Sequence, residues 1–369
     1  MTNSQQKKIL IIGTNMMNLY NHRLELIKRL LNLNFQVVIA APESGEEKNL
    51  EDLGCKFIAM PVDNRGTNIK NDLRLINDIR TISRREKPDL ILTFYTKTNI
   101  YGGIVAGRLK IPYIENICGL GTSLVKENML GKFMQILYKL ALKKSSFVFF
   151  QNKDNVKFMH EKNIYTGQHD LLPGSGVSLT RYQLLPYPET PNIEFLFCSR
   201  VIKEKGIDHY IEAAQKIKAK YPDTVFHVVG PCNPEYEDVL REYDEKGVIK
   251  YHGKLMDLHP IYQRVHCSVL PSYYPEGMAN VLLESAACGR PLITTGLPGC
   301  GEAVTDNVTG YVVNEKDTNS LVDALERFIL LSPQEKKEMG LRGREKMEKE
   351  FNRDIVTDRY ISHIKQIIP

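Results

Sequence analysis

Short apolar runs rich in β-branched and aromatic residues alternate along the chain with stretches of helical, amphipathic pattern. KKILIIG leads to a helical stretch from Asn21 to Asn32, and FQVVIAAP leads to one from Asn68 to Arg84. DLILTFY, KIPYIENIC and SSFVFFQN complete the first half. Runs that are apolar at consecutive positions belong to strands buried on both faces, and strands separated by helices belong to a parallel sheet. From Leu171 to Asn192 the chain reads LLPGSGVSLTRYQLLPYPETPN, which carries neither period and marks a boundary. The rhythm restarts with IEFLFCSR, a helix from Asp208 to Lys220, TVFHVVG, VIKYHG, HCSVLPS, a helix from Met278 to Cys288, PLITT and GYVV.

The expected fold class is therefore α/β, with two Rossmann-like, doubly wound parallel-sheet domains at 1–175 and 193–345 and a linker at 176–192. Residues 346–369 are expected to pack back on the first domain through Ile355, Tyr360, Ile361, Ile364 and Ile367. Doubly wound sheets take ligands beyond the carboxyl ends of their strands, so the expected site is a cleft between the domains.

A length of 369 residues fits two domains, and 42% hydrophobic with 25% charged residues excludes disordered, collagenous and disulfide-dense classes. Apolar runs such as Ile9 to Ile12 fall far short of the ~20 residues of a spanning helix. The start, MTNSQQKKILIIG, lacks the ~7–15-residue apolar core of a secretory signal, so the cytoplasm is the expected compartment. Seven cysteines with no CxxC spacing read as reduced thiols. Residues 1–175 hold 25 Lys and Arg against 16 Asp and Glu, and the rest 24 against 28, which points the first half at an anionic partner. Nucleic acid is disfavoured, because the basic residues are spread over helices with no aromatic stacking platform. No G-x-G-x-x-G is present, which argues against a nicotinamide cofactor, although Gly13 ends the first strand in a turn that can approach phosphate.

The richest stretch for chemistry is SVLPSYYPEGMANVLLESAACGRPLITT. Glu276 stands before a helix and Glu284 lies two turns inside it, roughly 10–12 Å along the axis. Backbone N–H groups around Gly277, Met278 and Ala279 are placed to meet a diphosphate or sugar hydroxyls, and Glu284 to accept two ribose hydroxyls. The bland reading makes Glu276 a dipole-stabilising charge and Glu284 a solvated helix residue. SRVIKEKG tips the balance, since Arg200 and Lys205 flank a loop that enters a helix near Ile207, a diphosphate site built from cations. No D-x-D occurs anywhere to hold a divalent ion, so no metal is expected.

Arg200, Lys205-Gly206, Glu276-Gly277-Met278 with Glu284 as E-x7-E, and GCGEAVTDNVTGYVV from Gly299 together resemble the retaining glycosyltransferases of family 4, with their two-domain GT-B fold. IIGTNMMNLYNHR, the RGTN at Arg65, PDLILTFYTKTNIYGG and IPYIENICGLGTS resemble a bacterial branch that extends lipid-linked oligosaccharides. The resemblance implies that Arg200 and Lys205 bind the donor diphosphate, Glu284 the ribose and Glu276 the transferred sugar. It also implies front-face transfer with retention, without metal or other cofactor, from a UDP-sugar to a polyprenyl-diphosphate-linked glycan at the inner face of the cell membrane. Arg23, Arg65, Lys97, Gly119 and Gly121 are the acceptor-side candidates, and His22 a weaker one. No histidine stands in the Tyr95-Thr96-Lys97 loop where many relatives carry one, and Gly301 replaces a frequent arginine. A sugar-nucleotide 2-epimerase and a non-catalytic nucleotide-sugar-binding subunit are the rival readings.

No acidic residue occurs from Asn128 to Lys153. MLGKFMQILYKLALKK puts Leu130, Phe133, Met134, Leu137 and Ala141 on one helical face, with Lys132, Lys139 and Lys143 on a neighbouring stripe and Lys144 beside it. Two readings stay open: an interfacial helix on an anionic leaflet, or a core helix with snorkelling lysines.

Overall fold

In the computed structural model, which describes residues 6–63, 68–120, 124–125, 127–274 and 277–369, the chain divides into two units. Residues 1–175 with 353–369 form one, and residues 176–352 the other. The first unit holds β1 (Lys8–Ile12), β2 (Gln36–Ala41), β3 (Lys56–Ala59), β4 (Leu90–Phe94), β5 (Tyr113–Ile117), β6 (Phe147–Phe150) and β7 (His169–Leu171). They pair in the order β3-β2-β1-β4-β5-β6-β7, and every pairing is parallel. The second unit holds β8 (Glu194–Cys198), β9 (Val225–Val229), β10 (Lys250–Tyr251), β11 (Cys267–Leu270), β12 (Leu292–Thr295) and β13 (Gly310–Val313), in the parallel order β10-β9-β8-β11-β12-β13. The expected fold class, two doubly wound parallel sheets, is what the chain adopts. The central strands are buried on both faces, as in Phe195, Leu196 and Phe197 of β8, which explains their unbroken apolar runs.

Strand order reverses between β1 and β4 in one sheet and between β8 and β11 in the other. The loops leaving those strands diverge to opposite faces of the sheet, and the crevice this opens at the carboxyl ends is where such folds place their ligands.

The first helix starts earlier than expected, at Met16 rather than Asn21, because Asn15 caps it by accepting from the Asn18 amide at 2.9 Å. The stretch 176–192 is packed into the second unit rather than free. Tyr187 Oη donates to the His266 carbonyl at 2.9 Å, and the buried Arg290 donates to the Pro186 carbonyl at 2.7 Å. The chain returns to the first unit at Arg353, later than the expected 346. Arg353 binds Glu25 at 2.9 Å, and Val356, Tyr360, Ile361, Ile364 and Ile368 of the terminal segment are buried there, whereas Ile355 and Ile367 are half-buried.

The helix Met129–Leu142 is capped by Asn128, whose side chain accepts from the Gly131 amide. Its inward residues are Gly131, Tyr138, Ala141 and Leu142. Leu130 and Phe133, expected on a single apolar face with Met134, Leu137 and Ala141, point outward instead. Ala141 marks the inner face by close approach, since a Cβ on Gly103 of the helix Thr96–Leu109 would lie 2.9 Å from its carbonyl oxygen.

Candidate functional site

The candidate site is built on the loops that follow β8 and β11, the two strands at the switch point of the second sheet. After β8, Val201 and Ile202 are buried and anchor a tight turn, Lys203–Lys205, closed by the Lys205 amide on the Ile202 carbonyl at 3.0 Å. Gly206 then takes φ +79° to enter the helix Ile207–Lys220, and a Cβ there would fall 2.1 Å from the Pro271 carbonyl oxygen. Only glycine satisfies both conditions, so the two loops can lie directly against each other.

The second loop is tied to the first from its own side. The Tyr273 amide donates to the Glu204 carbonyl at 2.8 Å, and Ser272 Oγ donates to the same oxygen at 3.4 Å. Behind it, Thr295 Oγ1 donates to the Ser272 carbonyl at 2.6 Å. These bonds hold Tyr274 so that its ring lies 5.5 Å from the Arg200 guanidinium and 5.3 Å from the Lys205 ammonium. Arg200 is exposed, whereas Lys205 is 6% exposed. Burial draws the Lys205 pKa down to about 8; the Cys300 thiol beside it works in the other direction and Arg200 adds to the lowering. Two cations within 5.5 Å of the centre of one aromatic ring, one of them desolvated, form a positively charged site of the kind that binds anions.

Glu284 lies on the helix Asn280–Ala287, one turn from its start rather than two turns inside a helix from Met278. It is 8% exposed and close to the end of β8, where its charge adds to the burial that pushes the Cys198 thiol up to about 12. Gly277, Met278 and Ala279 are all buried before that helix. The Ala279 amide, expected to face a ligand, donates to the Gly299 carbonyl at 2.7 Å. The Gly299 amide in turn donates to Glu302 Oε2 at 2.7 Å, so the GCGE segment braces the E-G-M segment. Glu276 lies outside the described residues, as do Arg65 and Gly121.

The structure thus brings Arg200 and Lys205 together on Tyr274, with Glu284 near the root of the same loop. Tyr274 itself was not singled out in the sequence, because a loop aromatic carries no periodic signal; its place between β11 and Glu276-Gly277 was the available cue.

In the first unit the candidates are placed less simply. Gly13 follows β1 with its α-carbon packed against Leu19, whose Cδ1 would lie 2.4 Å from an added Cβ and would have to move aside for any larger residue. Tyr95 follows β4 at φ +74°, a conformation that costs a non-glycine residue of order 1–3 kcal/mol. Lys97, two residues on, pairs with Asp72 at 2.8 Å, so its charge is already compensated. Arg23, expected to present a cation to an acceptor, is 2% exposed, with its guanidinium 4.5 Å from the Phe94 ring centroid and its Nη2 3.8 Å from Cys118 Sγ. Aromatic faces replace water around it, which makes it an internal brace in this arrangement. His22 beside it and Gly119 after β5 are half-buried. Lys132, Phe133, Lys139 and Lys143 are exposed, and Lys144 Nζ donates to the Gly107 carbonyl at 3.2 Å.

Both halves of the chain match known families. Residues 186–346 match the family of glycosyl transferases group 1, and residues 8–152 match the glycosyl transferase 4-like family. The chain is 25% identical, over 95% of its length and 96% of the relative's, to the N,N'-diacetylbacillosaminyl-diphospho-undecaprenol alpha-1,3-N-acetylgalactosaminyltransferase of Campylobacter jejuni. It is 23% identical, over 80% of each chain, to the UDP-Gal:alpha-D-GlcNAc-diphosphoundecaprenol alpha-1,3-galactosyltransferase of Escherichia coli. Among solved structures, Anabaena HepE in complex with UDP and glucose superposes with a TM-score of 0.80 at 16% identity, covering 98% of this chain and all of the other. Two parallel-sheet units, the two matched family regions and relatives aligned along nearly the whole chain establish that this protein belongs to the family-4-like glycosyltransferases of GT-B fold.

Proposed function

We propose that the protein transfers a hexose or N-acetylhexosamine from a UDP-sugar to a lipid-diphosphate-linked glycan, with retention and without a metal ion, while associated with the inner face of the cell membrane. The observation that carries this reading is the pair Arg200 and Lys205 on the face of Tyr274 at the switch point of the second sheet. Two fixed cations are what a departing nucleoside diphosphate needs where no metal neutralises it. The donor is proposed from the UDP of HepE and the UDP-Gal of the E. coli relative, and the acceptor from the diphospho-undecaprenol of both transferase relatives.

In this reading Arg200 and Lys205 hold the diphosphate and stabilise the charge that grows on it as the sugar leaves. Glu284 accepts the ribose hydroxyls, and Glu276 with the Gly277–Met278 backbone orients the sugar. The acceptor hydroxyl attacks from the face that the diphosphate leaves, and the departing phosphate oxygen takes the hydroxyl proton, so no side chain acts as base. Lys97, Arg65, Gly119 and Gly121 in the first unit are assigned to the acceptor. Positioning supplies the remaining acceleration.

The test incubates purified protein with a panel of UDP-sugars and an undecaprenyl-diphosphate-linked sugar, reads product mass, and assigns the new anomeric centre by NMR. A retained linkage formed equally well in EDTA is expected. Sugar isomerisation without acceptor would favour the epimerase instead, and UDP binding with no product from any lipid-diphosphate acceptor would favour a non-catalytic subunit.

A further inference from the structure

The helix Met129–Leu142 is apolar on the side that should be polar. At about 100° per residue, Met129, Phe133, Ile136 and Leu140 fall within an arc of about 60°, opposite the buried Tyr138. Their exposures are 89%, 56%, 58% and 56%. They form a line along the helix of roughly 16 Å, at ~1.5 Å per residue. Lys132, Lys139 and Lys143 follow within a further arc of about 40° on one flank of this line. Among the described residues none of the three makes an ion pair, and no acidic residue occurs between Asn128 and Lys153. Ile136 and Leu140 also line a hollow of ≈ 630 Å³ with Lys139, Lys143, Tyr165 and Thr166. The apolar line and a two-lysine recess are thus one continuous surface.

A surface helix normally turns its apolar stripe to the core and its charges to water. Here the core stripe is in place, and a second apolar stripe faces outward with cations on its margin. We propose that this outward face docks on an anionic phospholipid bilayer, with the four apolar side chains entering the interface and the Lys139–Lys143 recess seating a lipid phosphate. The charge selects the occupant: three uncompensated lysines beside large apolar side chains match the boundary between acyl chains and anionic head groups. The proposal deepens the membrane-associated reading above and rests on it for its purpose, though not for its geometry.

The test sediments the full chain with vesicles of phosphatidylcholine alone and of phosphatidylcholine with phosphatidylglycerol. Binding to the anionic vesicles that persists in excess glycerol phosphate is expected. F133S/I136S and, separately, K132S/K139S/K143S should each weaken it by at least about tenfold with unchanged melting, since all five side chains are exposed. The proposal is overturned if the wild type stays in solution with anionic vesicles, if glycerol phosphate displaces it, or if either variant binds as well as the wild type. It is also overturned if light scattering shows a lipid-free dimer that F133S/I136S dissociates, which would make the face a self-association surface. Transfer to an acceptor with a short, water-soluble lipid, assayed without vesicles, should be unchanged in both variants. Failure of the wild type in that assay with vesicle binding intact would sink the catalytic reading and leave the docking surface standing.

Discussion

Lys205 is where burial and charge oppose each other most directly. Holding its ammonium in a 6% exposed position, with a pKa of about 8 against an ordinary 10.5, costs the fold on the order of 3 kcal/mol, which a bound diphosphate would return. Because burial lowers this pKa, the charged form is present below about pH 8 and is lost as pH rises through it. We expect kcat/KM for UDP-sugar to fall above about pH 8 in the wild type and to stay level in K205R, whose guanidinium does not titrate there; a matching alkaline fall in K205R would remove Lys205 as its source. K205Q should lower kcat by about a hundredfold or more, read by UDP release. The Tyr274 ring that both cations share supplies a positioning contact worth about 1–2 kcal/mol. Y274F should therefore keep kcat/KM, and Y274L should reduce it about tenfold; equal loss in both would assign the effect to the hydroxyl. The cations and Glu284 were legible from residue type and spacing. Tyr274 was not, because what singles it out is a distance to side chains far away in the sequence.

At the scale of elements, the turn Lys203–Lys205 and the loop after β11 depend on each other. Gly206 sits at φ +79° with Pro271 against it, so G206A must move one backbone away from the other. It should cost about 1–3 kcal/mol of stability in urea denaturation and weaken UDP binding as well. Unchanged stability would mean that the two loops are less tightly joined than this contact requires. Helix boundaries were less legible than helix existence. The helix bearing Glu284 starts at Asn280 because Ala279 holds ψ 85°, outside the helical range, with its amide donated to the Gly299 carbonyl, a contact with a distant segment that no local preference predicts. The 129–142 helix shows the same limit. Two arcs of its sequence are apolar, and the inner one is chosen by close approach: a Cβ on Gly103 of the neighbouring helix would lie 2.9 Å from the Ala141 carbonyl oxygen.

Across the whole molecule, the two units carry buried carboxylates of opposite pH behaviour. Glu115 in β5 is 0% exposed with no hydrogen-bond partner on either oxygen among the described residues, and burial raises its pKa well above the ordinary value. Its contribution to the first unit is full below the ordinary pKa and declines as pH rises. Burial would also raise Glu194 in β8, but hydrogen bonds from His227 and Arg264 outweigh it and hold the group at about 2. Its contribution to the second unit is present above about pH 4.5 and is lost as pH falls towards 2. In calorimetry, with hydrogen exchange to separate the units, E115Q should raise the melting temperature of the first unit at pH 8 more than at pH 4. The second unit should weaken below pH 4.5 in both proteins; a second unit indifferent to acid would contradict the Glu194 network. By itself the sequence determined the strand–helix alternation and the doubly wound class, since each is written in local period and composition. Tertiary structure decided the packing of 353–369 into the first unit, the inner side of the 129–142 helix and the burial of Lys205 against Tyr274. These depend on which distant surfaces close on one another, and packing between remote segments leaves no trace in the local pattern.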